Sequence, residues 1–183
     1  MVQVLFLELQ PLVLDYYLRL CSLLNNRKLQ SILKKNHIKL DVCLHPNTSK
    51  ILNQCDQNIL NNLSNSENIM LHDFNTVNVR DLIEKSMMIV TDYSSILFDF
   101  IYLQKPVIGY SFENNLPLSQ DAIDDHFPGY RVDNEKDLIA TLEKVIKGQH
   151  HVMNYEKYIK HFDGNNCHRI VEHFKRLLNT AIQ

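Results

Sequence analysis

The chain has 183 residues, enough for one domain with a real core and too few for two full ones. Apolar residues make up 45% and charged residues 22%, an ordinary globular balance that excludes a disordered chain. The formal charge of −2 excludes an overall basic field that would gather nucleic acid, and four Gly with five Pro are too few for a turn-rich β-sandwich.

The first two dozen residues are apolar-rich, but Glu8, Pro11, Asp15 and Arg19 interrupt them. The uncharged runs fall well short of the roughly 20 residues of a membrane span, and no basic region precedes them as in a signal peptide. A cytoplasmic protein is expected, with peripheral attachment to the inner face of the membrane left open. Residues 12–24 carry apolar side chains at helical spacing (Leu12, Tyr16, Leu20, Leu23, Leu24), and residues 27–35 form a second helix with Leu29, Ile32 and Leu33 on one side. Asn36-His37 breaks it. Leu40-Asp41-Val42-Cys43-Leu44 reads as a strand that His45-Pro46-Asn47 ends, since proline cannot donate to a ladder. Thr48 or Ser49 can cap a short helix running to about Cys55.

Ile69-Met70-Leu71 is a short strand, and Asn78 can cap a helix over residues 79–85. Met87-Met88-Ile89-Val90-Thr91 is apolar enough to be a strand buried on both faces. Ser94 or Ser95 caps the next helix, whose apolar residues (Ile96, Leu97, Phe100, Ile101, Leu103) fill most of its circumference. Lys105-Pro106 stops it, and Val107-Ile108-Gly109-Tyr110 is another strand. A long Asn/Asp/Pro-rich loop spans residues 113–129; loops of that length are more often functional than idle. Tyr130-Arg131-Val132 is a last short strand, Asn134 caps a helix over residues 135–147, and two helices follow near 155–161 and 167–181. Basic clusters at Lys34-Lys35 and from His173 to Arg176 read as solvated helix faces. The cysteines at 21, 43, 55 and 167 show no C-x-x-C spacing, so they read as structural thiols in a reducing compartment.

Helix and strand alternate from residue 27 onward. That order implies a parallel sheet covered on both faces, in which ligands sit beyond the carboxyl ends of the strands. Two strands end in polar residues there. Leu44 leads into His45-Pro46, and Val90 leads into Thr91-Asp92-Tyr93-Ser94-Ser95. The second is a strand, a turn and a helix start, where unpaired backbone N–H groups and two hydroxyls suit a phosphate. Asp92 is better placed to hold the turn or accept from a sugar hydroxyl, and Ser94 can equally serve only as a cap. His45 can donate to phosphate or shuttle a proton, or be structural. In Phe162-Asp163-Gly164-Asn165, Asp163 or Asn165 can cap the last helix, Gly164 permits a positive φ, and Arg169 can reach an anion.

These pieces together resemble the CDP-glycerol:poly(glycerophosphate) glycerophosphotransferases, which make teichoic acids and related capsular polymers. The resemblance rests on His45-Pro46, the block from Ile89 through Thr91-Asp92-Tyr93-Ser94-Ser95-Ile96 to Phe100, Lys105-Pro106-Val107-Ile108, Phe127-Pro128-Gly129, and Asp163-Gly164 with Arg169. It covers residues 29–180 and implies an α/β, Rossmann-like parallel sheet with helices on both faces, resembling the C-terminal, donor-binding domain of a GT-B transferase. It implies that His45 sits beside the donor pyrophosphate as the catalytic group, and that Ser94 and Ser95 bind its phosphates. Thr91, Asp92 and Tyr93 shape the turn, Gly129 lines the nucleotide side, and Asp163, Gly164 and Arg169 close the cleft. Asp99 is assigned a structural role.

The implied reaction is displacement at phosphorus: an acceptor hydroxyl, on a polyol phosphate or polysaccharide, attacks the phosphate bearing glycerol, and CMP leaves. It needs positioning and charge neutralisation rather than a metal, and no metal or cofactor is expected. Family members also carry an N-terminal domain with the acceptor site and a second histidine, and a strand opening the donor domain. Residues 1–28 read instead as an atypical N-terminal helical segment ahead of a nucleotide-binding domain at 29–183. The expectation is therefore a truncated form, or a half that works with a separate N-terminal half or as a homo-oligomer. Two rivals stand beside the transferase. One is another GT-B enzyme using a cytidine donor such as CMP-sialic acid, and the other is an inactive nucleotide-binding module.

Overall fold

The computed structural model describes residues 2–7, 13–44, 67–73, 75–92, 94–110, 127–149 and 155–181. In chain order these form β1 (Val2–Leu7), α1 (Val13–Leu24), α2 (Arg27–Lys35), β2 (Ile38–Leu44), β3 (Ile69–Asp73), α3 (Val79–Lys85) and β4 (Ser86–Thr91). They continue with α4 (Leu97–Tyr102), β5 (Val107–Tyr110), β6 (Tyr130–Val132), α5 (Glu135–Ile146), a 3-10 turn (Tyr155–Lys157) and α6 (Asn166–Ala181). The expected short helix after Thr48, and residues 111–126 of the long loop, fall outside the described residues.

All six strands pair in parallel, in the order β3-β2-β1-β4-β5-β6. The chain thus winds outward from β1 in one direction, returns, and winds outward in the other. Side chains alternate between the faces of a strand, which sorts the core into two layers. On one face Val4, Leu40, Val42, Met88, Val90 and Ile108 meet α1, α2 and α5 through Leu20, Leu24, Leu29, Leu33, Leu138 and Leu142. On the other, Cys43, Ile89 and Val107 meet Leu82 of α3 and Leu97, Phe100 and Ile101 of α4.

Residues 1–28, expected to be a helical segment apart from the sheet, correct that reading. The helix over α1 is present, but Val2–Leu7 is a strand, and it lies in the middle of the sheet between β2 and β4. Its sequence, Val-Gln-Val-Leu-Phe-Leu, is a short apolar run of the same kind as β4. A strand therefore stands at the centre of the sheet in a segment where only helix was expected. α1 and α2 are then held to α5 by Glu135, which accepts from Ser22 Oγ at 3.1 Å and from the amide of Asn26.

The local signals behave as their chemistry requires. Asn26 caps α2 by accepting from the amides of Lys28 and Leu29, and His37 takes a φ of 53° just beyond the helix. Asn78 and Asn134 cap α3 and α5 by accepting from the amides of Asp81 and Asp137. α4 departs from expectation. It starts at Leu97 with Ile96 at its N-cap position, no side chain capping it, and Phe98 and Leu103 of its circumference are exposed.

Candidate functional site

A parallel sheet offers a crevice where consecutive connections leave a strand pair in opposite directions, because the two flanking loops diverge there. Here that point lies between β1 and β4. Leu7 of β1 is level with both Thr91 of β4 and Cys43 of β2, so the three strands finish on one edge. β2 and β4 are separated only by β1, roughly 10 Å at two strand spacings. His45 follows β2 directly; it and Tyr93 lie outside the described residues. The strand that leads to His45 and the turn that begins at Thr91 therefore share the switch-point edge.

The turn itself is built from β4 outward. Thr91 is fully buried and its Oγ1 accepts from the Ser94 amide at 3.1 Å. Ser94 is also buried, and its Oγ accepts from the Ile96 amide at 3.3 Å. The next carbonyls carry the chain into α4, with Leu97 N bonded to Ser94 O and Phe98 N to Ser95 O. Ser94 thus stabilises the turn before the helix rather than the helix N-cap, and Ser95 is the exposed one of the pair. Asp92 is half-buried beside them.

Gly129 has a clear steric reason. A Cβ there would lie 2.3 Å from the Val107 carbonyl oxygen, so only glycine allows the chain to enter β6 this close to β5. It lies next to Tyr130, which is paired with Ile108, and hence about two residues below the level of Thr91. Phe127 fills the space over Gly109, the β5 partner of Thr91, where a Cβ would meet its ring at 2.7 Å.

Asp163, Gly164 and Arg169 come together at α4 rather than at the strand ends. Gly164 adopts a φ of 74° and donates its amide to the Tyr102 hydroxyl at 3.0 Å, while Phe162 stacks on the Tyr102 ring. Asp163 accepts from the Asn165 amide and pairs with the Arg169 guanidinium, which also donates to Asn166 Oδ1 at 2.9 Å. The Arg169 hydrogen bond, helped by the Asn165 amide, holds the Asp163 carboxyl down at about 2. Arg169 is thereby engaged by its own loop.

Two features had no place in the sequence reading. Asp41 of β2 is buried with its Oδ1 2.7 Å from His72 Nε2 of β3, and its Oδ2 has no hydrogen-bond partner among the described residues. Nothing in the spacing of residues 41 and 72 reveals the pair, since it exists only through β2–β3 pairing. Two residues along, burial followed by the nearby Asp41 charge pushes the Cys43 thiol up to about 12, as befits a structural cysteine. A hollow of about 400 Å³ lies between α3 and α4, lined by Arg80, Ile83, Glu84, Asp99, Tyr102 and Leu103. None of the strand-end residues lines it, and Arg80 is paired with Glu84 at 2.8 Å, so we place the candidate site at the switch-point edge instead.

Comparison with known proteins agrees with the family resemblance. The family model for CDP-Glycerol:Poly(glycerophosphate) glycerophosphotransferase matches residues 15–175. The chain belongs to this family. Among curated relatives, the minor teichoic acid biosynthesis protein GgaB of Bacillus subtilis (strain 168) is 26% identical over 175 residues, spanning 92% of this chain but 18% of that protein. Among solved structures, the wall teichoic acid polymerase TagF soaked with CDPG superposes with a TM-score of 0.64 at 18% identity, over 100% of this chain and 43% of that one. The UDP-GlcNAc 2-epimerase of Methanocaldococcus jannaschii gives the same TM-score at 18% identity, over 96% of this chain and 46% of that one. The fold is thus shared with two chemistries, and within the family the chain spans well under half the length of the relatives it matches.

Proposed function

We propose that the chain binds CDP-glycerol, or a closely similar cytidine-nucleotide donor, at the carboxyl ends of β1, β2 and β4. In a complete active assembly it transfers glycerol phosphate from that donor to a hydroxyl of a polymer acceptor. The observation that carries this reading is the shared edge: the strand leading to His45-Pro46 and the Thr91–Asp92–Ser94–Ser95 turn flank β1 at the switch point. Family membership supports the choice of donor.

Each group has a distinct task. Thr91 and Ser94 hold the turn through hydrogen bonds of their hydroxyl oxygens, and the exposed Ser95 hydroxyl offers a donor to a phosphate oxygen. Asp92 fixes the turn or accepts from a sugar hydroxyl, and Tyr93 completes it. His45 neutralises charge on the pyrophosphate as the acceptor oxygen bonds to the glycerol-bearing phosphorus. The bond from that phosphorus to the bridging oxygen breaks, CMP carries the oxygen away, and the proton lost by the acceptor hydroxyl passes to solvent. Gly129 supports the site by letting β6 lie against β5, and Asp163, Gly164 and Arg169 brace α4 from the far side. The acceptor, a polyol phosphate or polysaccharide, reaches the donor from outside this sheet, and the enzyme works at the inner face of the membrane by peripheral attachment.

In a second reading the domain binds the donor without itself turning it over. Thermal stabilisation by CDP-glycerol, compared with CMP-sialic acid, tests the site, because a ligand held only by the folded state raises Tm. Equal or absent stabilisation by CDP-glycerol sinks the proposal. CMP release in the presence of a primed acceptor then separates transferase from binder.

A further inference from the structure

Helix α2 carries charge of one sign. From residue 27 to residue 39 the basic side chains are Arg27, Lys28, Lys34, Lys35 and Lys39, and no carboxylate falls among them, in a protein whose formal charge is −2. Lys34 and Lys35 suit the last turn of α2, where the carbonyl end of the helix dipole attracts cations. Arg27 and Lys28 stand in the first turn, where the dipole repels them and no acidic residue offsets them. Their charge works against the helix that carries them, so local stability does not account for it. Arg27, Lys28, Lys34 and Lys35 are all exposed, and none is in an ion pair among the described residues.

The basic ridge is shared with α5. Glu143 of α5 is paired with Lys147 at 2.8 Å. The Lys147 hydrogen bond and charge, and after them Lys28 and Lys35, pull the Glu143 carboxyl below its ordinary range, so lysines of both helices converge there. The other nearby carboxylate, Glu135, accepts from Ser22 and Asn26. Arg27 with Lys34 and Lys28 with Lys35 form two rows, each spaced by two turns of helix or about 10 Å. α2 begins beside Glu135, just beyond β6, and ends just before β2. The rows therefore run from the carboxyl edge of the sheet, which holds the candidate site, toward the opposite edge.

The chemistry of the ridge narrows its partner. The apolar residues of α2, Leu29, Ile32 and Leu33, are buried in the core. The helix thus has no apolar face to insert into a bilayer or to form the dry centre of a protein interface. It has no aromatic side chain either, on which the bases of a single-stranded nucleic acid would stack. What remains is an extended polyanion held by charge alone. We propose that the α2 ridge of Arg27, Lys28, Lys34 and Lys35, bordered by Lys147 of α5, binds a phosphodiester-linked polyol chain away from its reacting end, as a second contact for the polymer acceptor. The identity of the polymer rests on the function proposed above, and the ridge takes no part in the transfer step.

The test is fluorescence anisotropy of a fluorescein-labelled poly(glycerol phosphate) with the full chain. Unlabelled polymer, single-stranded DNA of equal charge and phosphatidylglycerol vesicles serve as competitors. The labelled polymer is expected to bind at low salt and to weaken by roughly tenfold or more as salt rises from about 50 to about 200 mM. Arg27→Glu with Lys28→Glu lowers its affinity roughly tenfold while Tm stays level or rises, because acidic residues suit a first turn. Lys34→Gln with Lys35→Gln gives a similar loss. Glu143→Gln, which removes the carboxylate facing the ridge, strengthens binding by roughly threefold. The proposal is overturned if the polymer does not bind at low salt, if these substitutions leave its affinity unchanged, or if DNA or vesicles compete as well as unlabelled polymer. A chain that CDP-glycerol stabilises but that binds no polymer overturns the ridge alone. Polymer binding with no response to CDP-glycerol sinks the donor site and leaves the ridge standing.

Discussion

Two polar stretches adjoin the same short helix, and they differ in what their polar groups are used for. The Thr91–Ser95 turn leads into α4 from the edge of the sheet. Its buried groups satisfy one another, Thr91 with Ser94 and Ser94 with Ile96, and this leaves Ser95 at the surface. The Asp163–Arg169 loop sits on Tyr102 at the other end of α4, and there the carboxylate and the guanidinium are spent on each other. A polar residue in the right motif thus becomes a ligand contact only where the local hydrogen bonding leaves its outer face available. The turn meets that condition; the loop reads as a brace.

The comparison breaks first at the helix joining the two. Phe100 of α4 is fully buried in the core layer with Ile89 and Val107, and Phe100→Ala is expected to cost about 3–5 kcal/mol, lowering Tm by roughly 10 °C or more. A shift of only a degree or two in the melt means α4 is not the scaffold. Ser95→Ala leaves the melting point within a degree or two, since the side chain is exposed, yet weakens CDP-glycerol binding by roughly tenfold, the worth of a hydrogen bond to a charged group. Calorimetry showing unchanged affinity removes Ser95 from the site. Thr91→Val keeps the shape of the buried side chain but strands the Ser94 amide, at about 1–3 kcal/mol, and chemical denaturation measures it.

The loop yields the smallest effects. Asp163 is held at about 2 against an ordinary value of 3.8 because Arg169 and the Asn165 amide stabilise the carboxylate. Its folded value is depressed, so the contribution of the pair is present above pH 3.8 and is lost as pH falls through about 2. The carboxyl is exposed, so the readout is its titration followed by carboxyl NMR rather than stability. Arg169→Ala should return the midpoint toward 3.8 and leave CDP-glycerol affinity within about twofold. A large loss of affinity in that variant would make the loop a ligand contact after all and erase the contrast with the turn.

Much of this arrangement is legible in the chain, and the illegible parts share a cause. The caps at Asn78 and Asn134, the stop at His37 and the apolar run of β4 are properties of a few neighbouring residues. β1 carries a similar short apolar run, but the helical spacing of residues 12–24 just after it favours a helical reading of the whole stretch. Its strand character becomes decisive only when β2 and β4 pair with it on both sides. Ser94 and Ser95 are adjacent and chemically identical, and only the path of the turn buries one and exposes the other. The pairing of Asp41 with His72 likewise waits on two strands lying side by side.

The sequence alone determined the alternation of most elements, the capping of α3 and α5 and the order of the family motifs, because each rests on contacts among residues close in the chain. Tertiary structure decided which strand lies at the centre, which edge gathers the turn and the strand leading to His45, and which polar groups neutralise each other before any ligand arrives. Those outcomes depend on parallel pairing between distant segments, and no local pattern of residues encodes which segments become neighbours.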